Sequence, residues 1–579
     1  MSASVVVRTL TINDGTTVDV PEQGIVLFVG PNNAGKSQVL RDVAKMTTSK
    51  SDRGVVISSA DVDYRGTVDD LIAQFEADDT IVRSATGGDR VNLGDGSLQQ
   101  VSNIRTWWRG SGSIVGGYFV LLADTESRLG ASRPTGALNL YEREPSHPLH
   151  RLYVRRDLEQ RLDLISRESF GEGLILDVWA GGSEWALRVG DIAPPDAPRP
   201  DQAYLDALKQ LPLLHTQGDG VRSMIGLLLN LLTGHQSVSL IDEPEAFLHP
   251  PQARFLARLL SEDSSAASRV ALISTHSSDI VHGVLDGPAQ TTVVRLSRVG
   301  DTNTAAVLDN DAVRRLWSDP LLRYSNLLEG LFTDAVVVCE SDADCKFFAS
   351  IRDTVRQDDG GARRPDILFT SCGGKHRMHV GVEALRAASV PVAVIGDFDV
   401  LNEWTTLARL VVKAGGDPSA LEADWRVLNS ALTSSARTPS VAGMKEAVAA
   451  AFESVTEITP KSLAPVREAL KVESGWDRVK NAGLSGVPKG EPFGAAVRLL
   501  EQLKELHIHL IPVGEMEDFV PEVGNHGPTW LAEVLENSLH TSASGDAARV
   551  FFEEVSNSIV PARDLGGEHG ESEGQQADT

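Results

Sequence analysis

A glycine-rich segment near the start of the chain sets the strictest limit on its architecture. The segment GPNNAGKS, residues 30–37, follows the apolar run GIVLFV and precedes the helix-like sequence QVLRDVAKM. It matches G-x-x-x-x-G-K-[ST], the pattern of a phosphate-binding loop between a strand and a helix. The sequence therefore predicts an α/β nucleotide-binding domain in which Lys36 reaches the β- and γ-phosphates and Ser37 binds Mg²⁺. The loop residues predicted to contact the nucleotide are Gly30, Asn32, Asn33, Ala34, Gly35, Lys36 and Ser37.

A second part of the nucleotide site is predicted where the apolar run SVSLI ends in two carboxylates, Asp242 and Glu243. Asp242 is suited to hold the Mg²⁺ shell, and Glu243 is suited to act as the general base for the attacking water. The next apolar run leads to His276, which we expect near the γ-phosphate as a sensor. Helix-capping acids and structural histidines can look similar, but the upstream P-loop favours the catalytic interpretation.

The strand and helix patterns divide the chain into two α/β regions. Past residue 325, apolar runs such as AVVVCE, DILFTSC and VPVAVIGDFD alternate with helix-like segments, which indicates parallel β-α units. Residues 51–205 have a weaker pattern and are predicted to be a partly helical insertion for dimerisation, DNA contact or regulation. The predicted organisation is an ATPase domain at 1–325, a second α/β domain at 326–525, a helical segment at 526–561 and a disordered acidic tail at 562–579.

Four carboxylates follow buried strands of the second region. Glu340 ends one strand, Asp344 lies one turn into the next helix, and Asp397 and Asp399 end another strand, where alternation places both on one face. The carboxyl ends of parallel strands meet in one crevice. For each acid alone, a solvated loop acid or a helix cap is an equally good interpretation as a metal ligand. As an ordered set, they predict a site for Mg²⁺ or Mn²⁺ that can run a two-metal phosphodiester hydrolysis.

The nucleotide-site motifs resemble those of a known ATPase class. GPNNAGKS, IDEPEAFLHP and ISTHS look like the ABC/SMC-type ATPases. The segment 218–223 lies where that class carries its signature motif, although it departs from the form LSGGQ. The resemblance implies that Gly220 and Ser223 contact the nucleotide of a second head, and hence a homodimer or a higher homo-oligomer. Transporter ATPases share these motifs, but the fused second domain argues against a transporter.

The acidic motifs of the second region resemble the Toprim fold of the OLD family of ATP-dependent endonucleases, which join an ABC/SMC-type ATPase head to a Toprim domain with a Rossmann-like parallel sheet. The segment ESDAD, residues 340–344, is similar to the OLD-type E-G-x-S-D, with Ser341 in place of glycine and Ala343 in place of serine. The sequence GGK at 373–375 resembles the G-G-K after the second Toprim strand. The resemblance implies that Lys375 contacts the scissile phosphate.

Two further elements extend this resemblance. GEMED, residues 514–518, is similar to a late G-x-x-E element that adds a ligand to the second metal. Glu517 fits that spacing, and Glu515 is the alternative. Lys489, in the sequence GVPKGEP, is a candidate phosphate-binding lysine on a mobile loop. Other Toprim enzymes fit less well, because every tyrosine lies at or before Tyr324 and the three cysteines are too few for a primase zinc ribbon.

Three hypotheses on function remain open at this point. The first is an ATP-regulated, metal-dependent endonuclease that cleaves DNA in defence against phage, as the resemblance to OLD and Gabija-like proteins implies. The second is an ATPase sensor whose Toprim domain docks or releases an effector, for example a partner encoded in the same operon, without cutting. The third is a nuclease directed at RNA such as tRNA, since the metal chemistry is the same.

Composition limits the partners and the compartment. The chain has 54 lysine and arginine residues against 80 aspartate and glutamate residues, a net charge of −26, which is not typical of a general nucleic-acid coating protein. Nucleic-acid contact is therefore expected at local basic patches or through metal ions. Three cysteines without zinc spacing, no signal-peptide pattern and no long apolar run predict a cytoplasmic protein with no membrane partner.

Overall fold

The computed structural model divides the chain into two compact units. The first unit comprises Met1–Phe332 and Ala387–Ser389, and the second comprises Thr333–Arg386 and Val390–Thr579. The described residues are 3–559 apart from 49–52, 78–80, 83–87, 94–97, 111–114, 140–144, 146, 180–182, 194–199, 267–268, 319–325, 356–364, 436–439, 454, 456–458, 460–462 and 471–473. The predicted disordered tail at 562–579 lies outside the described residues.

The first unit is built around a six-stranded sheet. Its strands are β1 (Ser4–Ile12), β2 (Thr17–Asp19), β3 (Gly24–Val29), β4 (Ile57–Arg65), β5 (Ile81–Val82), β6 (Arg90–Asn92), β7 (Leu98–Gln100), β8 (Val120–Ala123), β9 (Thr135–Gly136), β10 (Leu174–Asp177), β11 (Glu184–Val189), β12 (Val238–Asp242), β13 (Val270–Ser274), β14 (Thr291–Val299) and β15 (Thr302–Leu308). The main sheet has the order β15-β14-β3-β13-β12-β8, and only the β14–β15 pairing in it is antiparallel. Three small antiparallel sheets have the orders β2-β1-β4, β10-β11-β9 and β5-β6-β7.

The burial of the strands follows from their apolar patterns. All six residues of β3 are buried, as expected for a central parallel strand covered on both faces. Strand β1 buries mainly alternate residues, so it covers the core with one face only. The helices of this unit are Lys36–Thr48, Val68–Ala77, Val101–Gly110, Gly116–Phe119, Thr125–Ala131, Pro148–Val154, Arg156–Phe170, Gln202–Gln210, Asp219–Thr233, Pro250–Ala266, Ser278–Asp286 and Asn310–Ser318, with 3₁₀ helices at Leu214–Thr216 and Asn326–Phe332.

The segment 51–205, which we predicted to be an insertion, contributes strands to the main body of the first unit. Strand β4 pairs with β1, and β8 forms the edge of the main sheet, parallel to β12. The sequence pattern did not reveal this, because β8 is only four residues long and its partner lies more than a hundred residues away. Part of the predicted insertion is therefore structural core, and its helical segments are Pro148–Val154 and Arg156–Phe170, among others.

The second unit holds a four-stranded parallel sheet. Its strands β16 (Ala335–Cys339), β17 (Ile367–Ser371), β18 (Val392–Gly396) and β19 (Ile508–Leu510) have the order β17-β16-β18-β19. Every residue of β16 and β18 is buried, so these strands form its centre. The helices are Asp342–Val355, Met378–Ala387, Trp404–Lys413, Ser419–Ser434, Val441–Glu453, Ala464–Ala469, Gly475–Ala482, Glu491–Glu505, Gly527–Glu536 and Asp546–Ile559, with 3₁₀ helices at Phe398–Asn402, Gly483–Gly486, Met516–Phe519, Leu539–Thr541 and Ala543–Gly545.

Aromatic packing joins the last two helices to this sheet. Trp530 is fully buried, and its ring centroid lies 5.2 Å from that of Phe347. Phe551 packs against Phe348 at 5.9 Å. These residues belong to one apolar cluster with β16 and β18, so the helices Gly527–Glu536 and Asp546–Ile559 share their core with the α/β sheet rather than forming a separate layer.

None of the helices in the described part of the chain combines the length and apolar character that a membrane span requires.

Candidate functional site

The P-loop joins β3 to the helix Lys36–Thr48 in the first unit. Gly30 and Gly35 adopt positive φ angles of 140° and 91°, and Asn33 lies at 66°. Lys36 is buried and donates hydrogen bonds from Nζ to the carbonyl oxygens of Gly30 (2.8 Å) and Pro31 (3.0 Å). Burial lowers the pKa of Lys36, while the carboxylates of the β12 loop oppose this shift. The ammonium thus lies over a loop of left-handed residues that suits a phosphate.

Replacing Gly30 with alanine is expected to destabilise the first unit. A Cβ at this position would lie 2.1 Å from the carbonyl oxygen of Leu296, and the φ angle disfavours any L side chain. We expect the melting temperature without nucleotide to fall by at least about 4 °C. Gly15→Ala is the matched control, since Gly15 also has positive φ but no atom lies within 4 Å of its Cβ. Equal melting temperatures for the two variants would contradict this role of Gly30.

Two acids lie at the end of β12, which is separated from the P-loop strand β3 by β13. Asp242 accepts a hydrogen bond from the hydroxyl of Ser274, its register partner on β13. Glu243 has a positive φ of 46°, and its N–H donates to the carbonyl oxygen of Ser274 at 2.9 Å. Its side chain is 43% exposed. The backbone of Glu243 is therefore held by a hydrogen bond, while its carboxylate is partly exposed.

His276 lies between two carboxylates. Its Nδ1 is 3.4 Å from Oε1 of Glu243 and 3.2 Å from Oε1 of Glu245. Glu245 is buried and accepts hydrogen bonds from the hydroxyl of Thr275 (2.7 Å) and the N–H of His276 (2.9 Å). Burial raises the pKa of Glu245. The sequence analysis did not single out Glu245, although it belongs to the motif IDEPEAFLHP.

The signature segment is packed within the first unit, and its predicted contact with the nucleotide of a second head stays a prediction. Ser223 is buried, and its hydroxyl accepts a hydrogen bond from Nε of Arg128 at 3.0 Å. Gly220 is half-buried against the backbone of Phe247, whose carbonyl oxygen would be 2.6 Å from an added Cβ. Both residues thus have packing roles within their own unit, and the hydroxyl of Ser223 points to Arg128 rather than to solvent.

The acidic cluster of the second unit lies at the carboxyl ends of β16 and β18. One carboxylate oxygen each of Glu340, Asp397 and Asp399 lies within 4.8 Å of the others. Asp397 is the N-cap of the 3₁₀ helix Phe398–Asn402, and Asp399 lies in its first turn. The structure therefore brings the two aspartates together through a helical turn, not through strand alternation as we predicted.

Burial and mutual repulsion shift the ionisation of this cluster. Burial, followed by the charge of Glu340, raises the pKa of Asp397 to about 9. Burial, followed by the charge of Asp399, raises the pKa of Glu340 to about 7. Within the described residues, Oε2 of Glu340 and Oδ1 of Asp399 are buried oxygens without a hydrogen-bond partner. Converging, unpartnered carboxylate oxygens are the donor set that Mg²⁺ or Mn²⁺ takes, so the residues fit a divalent cation.

The affinity for Mn²⁺ is expected to rise with pH between 6 and 9. A metal binds the carboxylate forms, and the raised pKa values of Asp397 and Glu340 mean that protons must leave before it binds. Calorimetric titration at pH 6, 7 and 8 should give an affinity that increases by about tenfold to a hundredfold per unit, with the steeper rise at the lower pH where both groups are protonated, and a release of protons to the buffer. An affinity independent of pH over this range would show that these carboxyl groups do not take the ion.

A glycine loop brings a lysine to the cluster. Nζ of Lys375 donates to Oδ2 of Asp399 at 2.8 Å. Gly373 and Gly374 have φ angles of 82° and 101°, and the N–H of Gly374 donates to the carbonyl oxygen of Glu340 at 3.0 Å. The loop thus fixes Lys375 beside Asp399, and its predicted contact with the scissile phosphate stays a prediction.

Asp344 has a different environment from the three clustered acids. The N–H of Ser341 donates to Oδ2 of Asp344 at 2.8 Å, and the N–H of Asp344 donates to the hydroxyl of Ser341 at 3.3 Å. This reciprocal pair caps the helix Asp342–Val355. Burial raises the pKa of Asp344, and the nearby charges of Glu517 and Glu515 add to the shift. Oδ2 of Asp344 thus caps the helix, which is the alternative that the sequence left open for each acid, and the role of Asp344 as a metal ligand stays a prediction.

A second group of residues with potential metal-ligand atoms comprises Glu515, Glu517 and His526. One such atom of each residue lies within 4.8 Å of the other two. Oε1 of Glu517 accepts from the N–H of Gly527 at 2.7 Å. Nζ of Lys480 lies 2.8 Å from Oε1 of Glu515. Glu515 and Glu517, the two alternatives for the second-metal ligand in the segment GEMED, therefore lie close together. The sequence pattern did not point to His526.

Two lysines of this region, the candidate Lys489 and the neighbouring Lys480, lie in different surroundings. Lys489 is exposed in the turn before the helix Glu491–Glu505. Lys480, which the sequence analysis missed, has a pKa raised by its hydrogen bond to Glu515, and the charges of Asp399 and Asp397 add to this shift. Lys480 is thus, besides Lys375, another positively charged side chain near the acidic cluster. No local pattern in GWDRVKNA marks it, because its proximity depends on how the helix Gly475–Ala482 packs.

Comparisons with known proteins agree with the first unit at the level of the ATPase class. Residues 204–281 match the family model "AAA domain, putative AbiEii toxin, Type IV TA system". No curated protein matches the chain.

Several solved structures show a likeness to the chain, with low TM-scores. They include an Smc head bound to the C-terminal winged-helix domain of ScpA (13% identity, 52% of this chain, 98% of that chain, TM-score 0.34) and the SMC head domain from Thermotoga maritima (15%, 53%, 100%, 0.29). A third is cbiO1 of a Clostridium perfringens ABC transporter complex (13%, 50%, 83%, 0.24). With the family match at 204–281 and the geometry of the loop and β12 acids, we conclude that the first unit is a P-loop ATPase domain.

Proposed function

We propose that this chain is an ATP-regulated endonuclease that cleaves DNA phosphodiesters with Mg²⁺ or Mn²⁺ in a Toprim-type domain. The observation that carries the proposal is the convergence of Glu340, Asp397 and Asp399 within 4.8 Å at the ends of two central parallel strands. Structural acids rarely gather in this way, because burial of like charges is costly unless a cation joins them. The motifs that resemble the OLD family fall on these same residues.

In this proposal, the residues in and around the acidic cluster have different roles. Glu340, Asp397 and Asp399 hold the ion, whose chemistry is to activate water and to stabilise the leaving 3′ oxygen. Lys375, now paired with Asp399 at 2.8 Å, is positioned to bind a non-bridging phosphate oxygen. Glu515, Glu517 and His526 are the candidate ligands of a second ion. Lys480 and Lys375 together supply positive charge for the approaching nucleic-acid backbone on an otherwise acidic chain.

ATP acts at the first unit. Lys36 and Ser37 bind the phosphates and Mg²⁺, Asp242 holds the Mg²⁺ shell, and Glu243 acts as the general base. His276 lies 3.4 Å from Glu243 and is placed to sense the γ-phosphate. We propose that the nucleotide state governs a homodimer or higher homo-oligomer and, through it, access to the acidic site. The fusion of the two units in one chain supports this coupling.

We propose a role in anti-phage defence on the basis of this combination of modules. The OLD-type motifs in the second unit support it, and so does the match of residues 204–281 to a family described as a putative AbiEii toxin of a type IV toxin–antitoxin system. A partner encoded in the same operon is compatible with this role.

Two alternatives share the same residues. In the first, the chain is an ATPase sensor whose second unit docks or releases an effector, which the net charge of −26 favours over broad nucleic-acid binding. In the second, the substrate is RNA such as tRNA. The metal chemistry does not distinguish RNA from DNA, so the substrate must be identified directly.

The test is a cleavage assay with the purified full chain on plasmid DNA, linear DNA and tRNA. Each substrate is incubated with Mg²⁺ or Mn²⁺, with and without ATP. The proposal predicts metal-dependent cleavage of DNA whose rate changes when ATP is added. Cleavage of tRNA alone would favour the RNA alternative. ATP hydrolysis without cleavage of any substrate would favour the sensor.

A further inference from the structure

Arg128 is a fully buried arginine of the first unit that none of the nucleotide-site motifs includes. It lies in the helix Thr125–Ala131, directly after the edge strand β8, and its exposed fraction is 0%. Charged side chains are seldom buried to this extent unless their polar atoms are satisfied. The partners of its guanidinium group therefore indicate what this arginine does.

The guanidinium group uses all of its hydrogen-bond capacity. Arginine has five N–H donors in a planar arrangement. The acceptors are the hydroxyl of Ser223 for Nε (3.0 Å), the carbonyl oxygens of Ala123 (3.1 Å) and Asp242 for Nη1, and the hydroxyl of Thr125 (3.3 Å) and the carbonyl oxygen of Glu243 (3.1 Å) for Nη2. Five donors thus meet five acceptors on three separate segments. Lysine, with three donors on a flexible stem, cannot reproduce this arrangement.

Two of these acceptors belong to the β12 acids. Glu243 has a φ of 46°, a strained conformation for a non-glycine residue that persists only when the surrounding structure holds it. Its N–H donates to Ser274 on one side, and its carbonyl oxygen accepts from Arg128 on the other. The peptide of Glu243 is thus clamped from both sides while its carboxylate stays accessible.

The remaining contacts tie this clamp to the helix Asp219–Thr233. Ser223 of that helix accepts from Nε of Arg128. A Cβ at Gly226 would lie 1.9 Å from the carbonyl oxygen of Arg128, so the helix packs directly against the backbone of the arginine. A shift of this helix must therefore displace Arg128 or break its hydrogen bonds.

We propose that Arg128 is a positioning residue for ATP hydrolysis, which holds the backbone of Glu243 in its strained conformation and links it to the helix Asp219–Thr233. The inference rests on the proposed role of Glu243 as the general base. Arg128 touches neither nucleotide nor water in this account, and it acts through Glu243 alone.

The test compares Arg128→Lys with Arg188→Lys in the full chain. Arg188 is the matched control because it is also buried in the first unit, where it pairs with Asp177 at 2.6 Å and donates to the carbonyl oxygens of Lys209 and Leu211. Both variants should lower the melting temperature. Only Arg128→Lys should lower kcat for ATP, by about 10- to 100-fold per folded molecule, with KM within about threefold of the unchanged chain. Melting curves and binding of a fluorescent ATP analogue give the folded and nucleotide-competent fractions.

Ser223→Ala provides a second, milder variant that removes a single acceptor from the clamp and is expected to lower kcat by about threefold to tenfold. It replaces Arg128→Lys as the deciding variant if the latter does not fold. Unchanged kcat in the folded variant, or an equal loss of kcat in Arg188→Lys, would overturn the assignment of Arg128. A wild-type chain that binds ATP but does not hydrolyse it would instead refute the proposed role of Glu243 itself.

Discussion

Asp397→Asn is expected to lower the rate of Mn²⁺-dependent phosphodiester cleavage by about three orders of magnitude, which corresponds to about 4 kcal/mol of transition-state stabilisation. Asparagine keeps the shape of the side chain but removes the anionic oxygen that would hold the ion between Glu340 and Asp399. Because burial raises the pKa of Asp397 to about 9, the metal-free chain already carries a neutral group there at pH 7. The variant should therefore melt within about 2 °C of the unchanged protein.

The control for this variant is Asp353→Asn, which neutralises an exposed aspartate of the same unit that is ion-paired with Arg352. Its cleavage rate should match that of the unchanged chain within about twofold. Full cleavage by Asp397→Asn, measured on the DNA substrate with Mn²⁺, would remove the acidic cluster from the mechanism. Loss of cleavage in both variants would point to a general effect of charge on binding.

Glu243→Gln is expected to reduce kcat for ATP hydrolysis by about two to four orders of magnitude, the usual contribution of a general base. Binding of ATP should be retained, because Lys36 and the P-loop glycines are unchanged. The φ of 46° at this position is a property of the backbone, and glutamine has the same stem, so the fold should not change. Phosphate release measures the loss of hydrolysis, and equilibrium binding of a fluorescent ATP analogue measures whether nucleotide binding is retained.

Glu262→Gln is the matched control for that experiment, since Glu262 is an exposed glutamate on the helix Pro250–Ala266, 3.7 Å from Arg258. Its kcat should equal that of the unchanged chain. Lys36→Ala, in contrast, should lose binding of ATP itself. If Glu243→Gln hydrolysed ATP at the unchanged rate, the general base would have to be another residue, and Glu245 beside His276 would be the next to examine.

Motifs whose meaning depends on adjacent residues were predictable from the sequence. The P-loop between β3 and the helix Lys36–Thr48 lies where its pattern indicates, because the turn and the lysine are encoded within one short stretch. The predicted contact of Lys375 with a phosphate stays a prediction, although its loop places Nζ 2.8 Å from Asp399. The strands β16 and β18 were also recognisable, because fully buried parallel strands are continuous apolar runs.

Contacts between distant segments were not predictable in this way. Arg128 and β8 lay in a stretch that we interpreted as an insertion, and their importance comes from pairing with β12 more than a hundred residues away. Lys480 reaches Glu515 through the packing of one helix. Asp344 shows that a local pattern can have two interpretations. The E-x-x-x-D spacing suggested a metal ligand, and Asp344 also forms a reciprocal helix cap with Ser341.

Anomalous X-ray diffraction from crystals of the full chain grown with Mn²⁺ will show whether Glu340, Asp397 and Asp399 hold a divalent ion. We expect an anomalous peak about 2.0–2.2 Å from a carboxylate oxygen of each of the three residues. Its loss in Asp397→Asn should accompany the loss of cleavage. A Mn²⁺ peak elsewhere in the chain, with these three carboxylates turned away from it in protein that cleaves DNA, would contradict the claim.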